Sequence, residues 1–234
     1  MENCIAVIPA RSGSKGLINK NIRLLNGVPL LAHSINVAID SKMFKKIFVS
    51  TDSEDYAKIA VKYGADASFL RSKELSTDDA GSWDVVREVI RIFNDRGEFF
   101  DSIMLLQPTS PLRISDDIIR CFELMSEKQA NSVISVCEMD HSPLWSNTLP
   151  DNLSMAHFRR EEYSDLPRQA LPKFYRINGA IYLLKTEELY TNKMFREKSY
   201  AYIMPQERSI DIDTDYDFTI AEVLMGLRNA KKEG

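Results

Sequence analysis

Three stretches of this 234-residue chain concentrate groups that handle phosphate and metal ions. The first, Pro9 to Asn21, reads PARSGSKGLINKN and carries Gly13 and Gly16, the hydroxyls of Ser12 and Ser14, and the cations Arg11, Lys15 and Lys20. Glycine lets backbone N–H groups come close to phosphate oxygens, and cations offset their charge. The spacing is neither GxxxxGK[ST] nor GxGxxG, so a phosphate cradle and a basic surface loop both fit its composition. The second stretch, Ser209 to Thr214, reads SIDIDT. On extended backbone alternate residues share a side, so Asp211 and Asp213 project together while Ile210 and Ile212 turn to a core. Two neighbouring carboxylates repel unless a cation lies between them. Mg2+ (or Mn2+) suits such a pair, because it takes oxygen ligands and keeps waters that a phosphate can replace. The competing reading makes Asp213 or Thr214 the cap of a following helix, which fits Thr214 but leaves Asp211 unexplained. The third, LLQPTSPLR over 105–113, is a strand ending in a stiff double-proline loop, either a display of Gln107 and hydroxyls or an ordinary rigid turn.

The elements that must position these loops follow from periodicity. Cys4 to Ile8 is a near-continuous apolar run, as expected of a strand buried on both faces. A helical pattern starts at Pro29 with Leu31, Ile35 and Ile39 on one face, and Ile47 to Ser50 is the next strand. Ser53 caps a helix carrying Tyr56, Ile59, Ala60 and Tyr63, which Gly64 ends. Val86, Val89, Ile90 and Phe93 repeat the helical period up to Gly97. Ser102 to Leu106 is a third strand, Ser115 opens an acidic helix start, and Ser132 to Cys137 is a fourth strand. Strands alternating with helices predict a three-layer α/β fold, a mostly parallel sheet with helices on both faces. Ligands of such sheets bind at the carboxyl ends of the strands, where the phosphate-like loop lies. Residues 138–177 break the pattern with Pro143, Pro150, Pro167 and Pro172 and read as an arm that orders against a partner subunit or over the site. Beyond it the sequence predicts a strand at Ala180–Leu184, a short helix capped by Thr186, a strand near Tyr200–Met204, and a last helix. That helix presents Ile220, Val223, Leu224 and Leu227. One domain over 1–234 with an inserted arm accounts for the whole pattern.

Composition excludes several classes. A net charge of −4 argues against nucleic-acid binding, while a local Arg and Lys cluster can still hold a small anion. No stretch approaches a membrane span, and residues 1–10 are too weakly apolar for a signal peptide. Cys4, Cys121 and Cys137 form no CxxC pair, which fits free thiols in a reducing cytoplasm. His33, His141 and His157 are too scattered for a metal site, and the absence of GxSxG removes support for Ser-His-Asp hydrolysis.

Taken together, IPARSGSKGLINKN, LLQPTSPLR, PRQALP, RINGAIYLL and SIDIDT, in this order from Ile5 to about Glu222, resemble the acylneuraminate cytidylyltransferase (CMP-sialic acid synthetase) family. The resemblance implies a Rossmann-like nucleotide-diphospho-sugar transferase fold, a homodimer joined through the arm, and CMP transfer from CTP to a nonulosonic acid such as N-acylneuraminate. It implies that Arg11 and Lys20 meet the CTP phosphates, with Ser12, Ser14 and the Gly13–Gly16 backbone as cradle. Asn21, Arg71 and Ser82 correspond to ribose and cytosine contacts, and Gln107 to a sugar contact. Arg168 matches an arginine that pairs with the sugar carboxylate through its planar fork. Tyr182 and Phe195 correspond to aromatics around the sugar, Phe195 from the neighbouring subunit. Asp211 and Asp213 match the metal pair, with Asp213 or a metal-held hydroxide as the base.

Two departures stand out. In HSPLW, residues 141–145, Trp145 replaces a lysine common in sialic acid synthetases, and Asp79 of TDDAGS stands where a threonine is common. An apolar wall suits a sugar with a deoxy C9, such as legionaminic acid, unless Trp145 only packs at a dimer interface. A non-catalytic nucleotide-binding regulator is the alternative of another class. The set Arg11, Lys20, Asp211 and Asp213 argues against it, since a binding module has no need of the metal pair.

Overall fold

The computed structural model describes residues 3–13, 16–159, 167–191 and 195–233, and the side chains of all these except 168 and 231–233. The chain runs through β1 (Cys4–Pro9), the hairpin strands β2 (Leu24–Leu25) and β3 (Val28–Pro29), α1 (Leu30–Ser41), β4 (Lys46–Ser50) and α2 (Glu54–Lys62). There follow α3 (Ser82–Asp95), β5 (Ser102–Leu105), α4 (Ser115–Glu127), β6 (Ser132–Glu138), β7 (Tyr175–Lys185), β8 (Ser199–Ile203) and α5 (Asp215–Glu233).

Six strands form one sheet in the order β4-β1-β5-β7-β6-β8. β1 pairs in parallel with β4 and β5, and β6 with β8, while β7 runs antiparallel between β5 and β6. The predicted α/β class with a mostly parallel sheet is the observed one. β1 shows why the sheet is covered twice. Cys4, Ala6 and Ile8 face a core that includes Leu31 and Ile35 of α1, Tyr56 of α2 and Ile118 of α4. Ile5 and Val7 face the opposite core, with Phe48 and with Val86, Val89, Ile90 and Phe93 of α3. This is the period of two expected of a strand buried on both sides. A third, smaller core joins Leu17, Leu25, Leu30, Leu112 and Ile212 to Phe218, Ala221 and Met225 of α5. It clamps the base of the first loop and the SIDIDT segment onto the same helix.

Local signals place most boundaries. The Ser53 hydroxyl accepts from the Tyr56 N–H at 3.4 Å and caps α2. Gly64 beyond it has φ 93°, a left-handed conformation that costs a non-glycine residue about 1–2 kcal/mol. α4 opens at Ser115, and its first turn is closed by Asp117, whose Oδ2 accepts the Ile114 N–H at 2.9 Å. Asp117 is fully buried and also takes the Arg208 guanidinium at 2.7 and 3.1 Å and the Tyr202 hydroxyl at 3.0 Å.

Three expectations need correction. β7 begins at Tyr175, inside the predicted arm, because Asn178-Gly179, a turn signal in sequence, is here part of a bulge between Ile134 and Val136 of β6 and its partner. Thr186 caps nothing; Lys185 precedes the turn, and the Thr186 hydroxyl donates to the Phe100 carbonyl at 2.6 Å. α5 buries Phe218, Ala221 and Met225, while Val223 and Leu227 stay 56% and 58% exposed. Of the predicted face, Leu224 packs against the third core and Ile220 is half-buried, so the buried stripe is rotated from the predicted one rather than separate from it. Among the described residues no helix is long and apolar enough to cross a membrane, and Cys4, Cys121 and Cys137 are buried and in no disulfide.

Candidate functional site

At the carboxyl edge of β1 and β5 lies a cleft of about 370 Å3 lined by Arg11, Gly16, Lys20, Asn21, Arg71, Ser82, Gln107 and Asp213, among others. Five separate segments contribute to that set. The topology explains why they meet, since the loops after parallel strands all open on one edge.

The first loop is tied down at both ends. Asn21, 5% exposed, donates from Nδ2 to the Arg11 carbonyl at 2.9 Å. Ser12 donates its N–H and its hydroxyl to Asp52 at 2.8 and 2.9 Å. Ser12 is therefore engaged beneath the loop rather than in the cleft lining, and Gly13 has no neighbour close to where a Cβ would stand. Gly16 does line the cleft, and a Cβ there would sit 3.0 Å from the Asp213 carbonyl oxygen. Ser14 lies outside the described residues. Lys20 crosses to the SIDIDT segment, donating from Nζ to the Ile212 carbonyl at 2.7 Å and to Asp213 Oδ1 at 3.1 Å. Arg11 is paired with Asp78 at 2.5 Å. Arg71 is buried, donating to Ser50 Oγ at 3.0 Å and the Ser50 carbonyl at 2.6 Å. Burial lowers its pKa to about 10, against the pull of Asp52 and Glu88, so it stays cationic at neutral pH.

The carboxylate pair takes the predicted geometry. Ile212 is buried and Ile210 partly buried in the third core, which turns Asp211 and Asp213 the other way. The Ile212 N–H donates to the Thr109 carbonyl at 2.8 Å, fastening the segment to the QPTSP loop. Asp213 is 74% exposed at its side chain, whereas Asp211 is largely enclosed and its Oδ1 is buried with no hydrogen-bond partner. Burial raises the pKa of Asp211, Thr109 lowers it by hydrogen bonding, and the Asp213 charge raises it further. Thr214 does cap α5: its hydroxyl accepts the Asp217 N–H at 3.3 Å, and Asp217 Oδ2 accepts the Thr214 N–H at 2.8 Å. The capping reading therefore holds for Thr214, and it leaves the buried Asp211 unexplained.

Sequence reasoning missed four residues that shape the site. Gly179, at φ +76°, leaves space for Gln107 and Asp211; a Cβ there would lie 2.6 Å from Gln107 Oε1 and 3.6 Å from Asp211 Oδ2. Arg113, fully buried, donates from Nη2 to the Gln107 carbonyl at 2.7 Å and also bonds the Ala180 carbonyl and Ser34 Oγ. Burial lowers the Arg113 pKa to about 9. Asp52 and Asp78 complete the four. Asp52 follows β4, and its place at the carboxyl end of a strand was a usable signal.

The expected sugar contacts are less gathered. Tyr182 packs edge-on against Trp83, ring centres 5.8 Å apart, next to Ser82 and within the field of Asp211. Phe195 is 64% exposed and away from the cleft lining. Arg168 starts a short 3-10 turn, and its side chain lies outside the described set. Trp145 is half-buried under Arg159, whose guanidinium lies 5.3 Å from the ring centre, and its indole N–H is buried without a partner.

Comparison with known proteins supplies the context for this arrangement. A family profile described as "Cytidylyltransferase" matches residues 5–232. The N-acylneuraminate cytidylyltransferase of Escherichia coli O18:K1:H7 is 40% identical over 229 residues, 97% of this chain and 53% of that protein. The CMP-N,N'-diacetyllegionaminic acid synthase of Legionella pneumophila is 38% identical over 226 residues, 95% of this chain and 96% of that protein. The chain thus spans about half the length of the first relative and nearly all of the second. The structure of CMP:2-keto-3-deoxy-manno-octonic acid synthetase complexed with CTP superposes with a TM-score of 0.71 at 17% identity, covering 96% of this chain and 99% of that one. At that identity the likeness concerns the fold.

Proposed function

The chain belongs to the cytidylyltransferase family, as the resemblance implied, and on that premise we propose that it transfers CMP from CTP to a nonulosonic acid. The observation that carries the reading is the Lys20 ammonium. It bonds both the Ile212 carbonyl and Asp213, tying the basic first loop to the SIDIDT segment, whose Asp213 lines the same cleft while Asp211 is not among the lining residues.

In the proposed reaction the anomeric 2-hydroxyl oxygen of the sugar forms a bond to the α-phosphorus of CTP, and the bond to pyrophosphate breaks. The hydroxyl proton leaves to a base, for which the exposed Asp213 carboxylate is the candidate. Arg11 and Lys20 hold the charge that develops on the departing pyrophosphate, while Asn21, Arg71 and Ser82 hold the nucleoside and Gln107 turns toward the sugar. Phosphoryl transfer depends mainly on alignment and charge stabilisation, and these residues supply both.

Asp211 and Asp213 would hold a Mg2+ ion. The donor set suits it: an orphaned buried oxygen on Asp211 and an exposed carboxylate on Asp213 leave room for water and phosphate oxygens. Among the described residues no cluster of three or more His, Cys, Asp or Glu side chains competes for it. When bound, the ion would supply Lewis-acid polarisation of the α-phosphate.

The test is Mg2+-dependent pyrophosphate release from CTP with N-acetylneuraminic, legionaminic, pseudaminic and 3-deoxy-octulosonic acids in turn. Release with one of the nine-carbon acids is expected, and none with any of them sinks the enzyme reading in favour of a nucleotide-binding regulator. N-acylneuraminate is the first candidate sugar. A second reading keeps the chemistry and takes legionaminic acid, favoured by the apolar ring of Trp145. A homodimer belongs to the same proposal, because the arm exposes Leu149, Leu153 and Met155, at 53%, 70% and 61%. Light scattering should give the mass of two chains, and a monomer at micromolar concentration would refute it.

A further inference from the structure

Asp52 presents an electrostatic contradiction. It follows β4 at the edge where the cleft opens, next to a loop of cations suited to phosphates, yet it is an anion. A carboxylate there repels a nucleotide triphosphate, so it must contribute something that outweighs its charge. Its hydrogen bonds show what that is. Oδ1 accepts the Ser12 N–H at 2.8 Å and Oδ2 accepts the Ser12 hydroxyl at 2.9 Å, so both oxygens close on one residue. Ser12 directly follows Arg11, whose carbonyl is gripped from the other side by Asn21 Nδ2 at 2.9 Å. The Arg11 backbone is thereby held on both flanks; Arg11 lines the cleft, and its guanidinium pairs with Asp78 at 2.5 Å. Neither Ser12 nor Asp52 lines the cleft itself. The charge of Asp52 is also faced by Arg71, which tempers its repulsion of an incoming phosphate.

The geometry points to Asp52 as the positioning residue of the phosphate loop, acting through its two-point grip on Ser12 to hold Arg11 at the phosphates. This rests on the CTP-binding reading above, and it makes the hydrogen bonds and the charge of one side chain act in opposite directions. Asp52→Asn removes the charge and keeps an acceptor for the Ser12 N–H, while the new amide can donate to the Ser12 hydroxyl oxygen. Asp52→Ala removes the charge and both bonds.

The experiment is calorimetric titration of CTP with Mg2+ into wild type, Asp52→Ala, Asp52→Asn, Ser12→Ala and the Ser12→Ala/Asp52→Ala double variant, with a thermal melt of each. Wild type binds CTP, Asp52→Ala binds about 10-fold more weakly, and Asp52→Asn binds at least as tightly as wild type to within about threefold. The double variant is no weaker than Asp52→Ala alone, because both changes break the same contact. In the turnover assay the KM for CTP rises in Asp52→Ala while the KM for the sugar holds, a split that general loosening of the fold would not produce. Asp52→Ala binding like wild type, Asp52→Asn as weak as Asp52→Ala, or additive losses in the double variant would each overturn the assignment. If Asp52→Ala does not fold, Ser12→Ala decides: about threefold weaker CTP binding with Asp52→Asn near wild type supports the grip, and unchanged binding overturns it. Wild type that binds no CTP overturns the functional reading itself, an outcome separate from all of these.

Discussion

The Asp211→Asn protein should fold like the wild type and release pyrophosphate at least about 10^3-fold more slowly, the loss expected when transition-state charge stabilisation worth several kcal/mol is removed. The reasoning starts from the buried Oδ1 of Asp211, which has no hydrogen-bond partner. A buried carboxylate oxygen left unpaired costs free energy, and a fold retains it only where something completes it. The enclosure and the neighbouring Asp213 raise the Asp211 pKa and the Lys20 ammonium offsets them only in part, so a further cation would be stabilising there. An amide is close in shape, so packing against Gly179 and Thr109 survives. Its neutral oxygen binds a divalent cation poorly. The melting temperature of the metal-free variant should be no lower than that of wild type, since an unpaired buried charge has been removed. Turnover within tenfold of wild type would refute the metal role.

Gly179→Ala should be nearly as damaging by a different route. Glycine is needed there twice over: φ is +76°, and the space for a Cβ is already taken by Gln107 Oε1 at 2.6 Å. Left-handed backbone costs an alanine about 1–2 kcal/mol, and Gln107 Oε1, the far end of a flexible side chain, can swing aside at small further cost. For a chain of this size each kcal/mol lowers Tm by about 2–4 °C, so a fall of roughly 2–8 °C follows. Gln107 cannot yield through its backbone, because its carbonyl is pinned by the buried Arg113 at 2.7 Å. The side chain must move, and displacement of a positioning group by about 1 Å can cost about 100-fold in rate. The loss should fall on kcat/KM for the sugar, with the Kd for CTP changing much less. A variant with wild-type Tm and wild-type sugar kinetics would show that this close approach is unimportant.

Much of the frame was legible because the signals are local. The alternation of Cys4, Ala6 and Ile8 with Ile5 and Val7 reports burial on both faces without knowledge of any other element. The run Val86, Val89, Ile90 and Phe93 does the same for α3. The loop at 9–21 and the carboxylates at 211 and 213 were legible by chemistry, and alternation along SIDIDT was enough to orient them. Arg71 and Ser82 came from the resemblance alone, as did the nucleotide role of Asn21 and the sugar role of Gln107; no spacing links the four, and only the topology gathers them at one cleft. What stayed hidden depended on which elements become neighbours. Ser12 and Asp52 are 40 residues apart and meet only because β1 and β4 are adjacent. The face of α5 was legible only in part: Leu224 does pack on the third core, but hydropathy alone does not select Phe218, Ala221 and Met225 over Val223 and Leu227. The early start of β7 was hidden because Tyr175, Arg176 and Ile177 remain exposed, and Asn178-Gly179 has the composition of a turn.

The antiparallel strand β7 also sets a timetable for biosynthesis. It occupies the slot between β5 and β6, yet it is made after both, so a chain leaving the ribosome first presents β4, β1 and β5 with one side of β5 bare. An unpaired strand edge of that kind is a template for wrong partners until the proper strand arrives. The ion pair between Lys20 and Asp213 spans 193 residues, so the two halves of the cleft cannot meet until nearly all of the described chain has been synthesised. On the proposed reading, the nascent protein carries its phosphate loop long before its carboxylate pair, and the late place of Asp213 in the chain would withhold chemistry from every partly made copy.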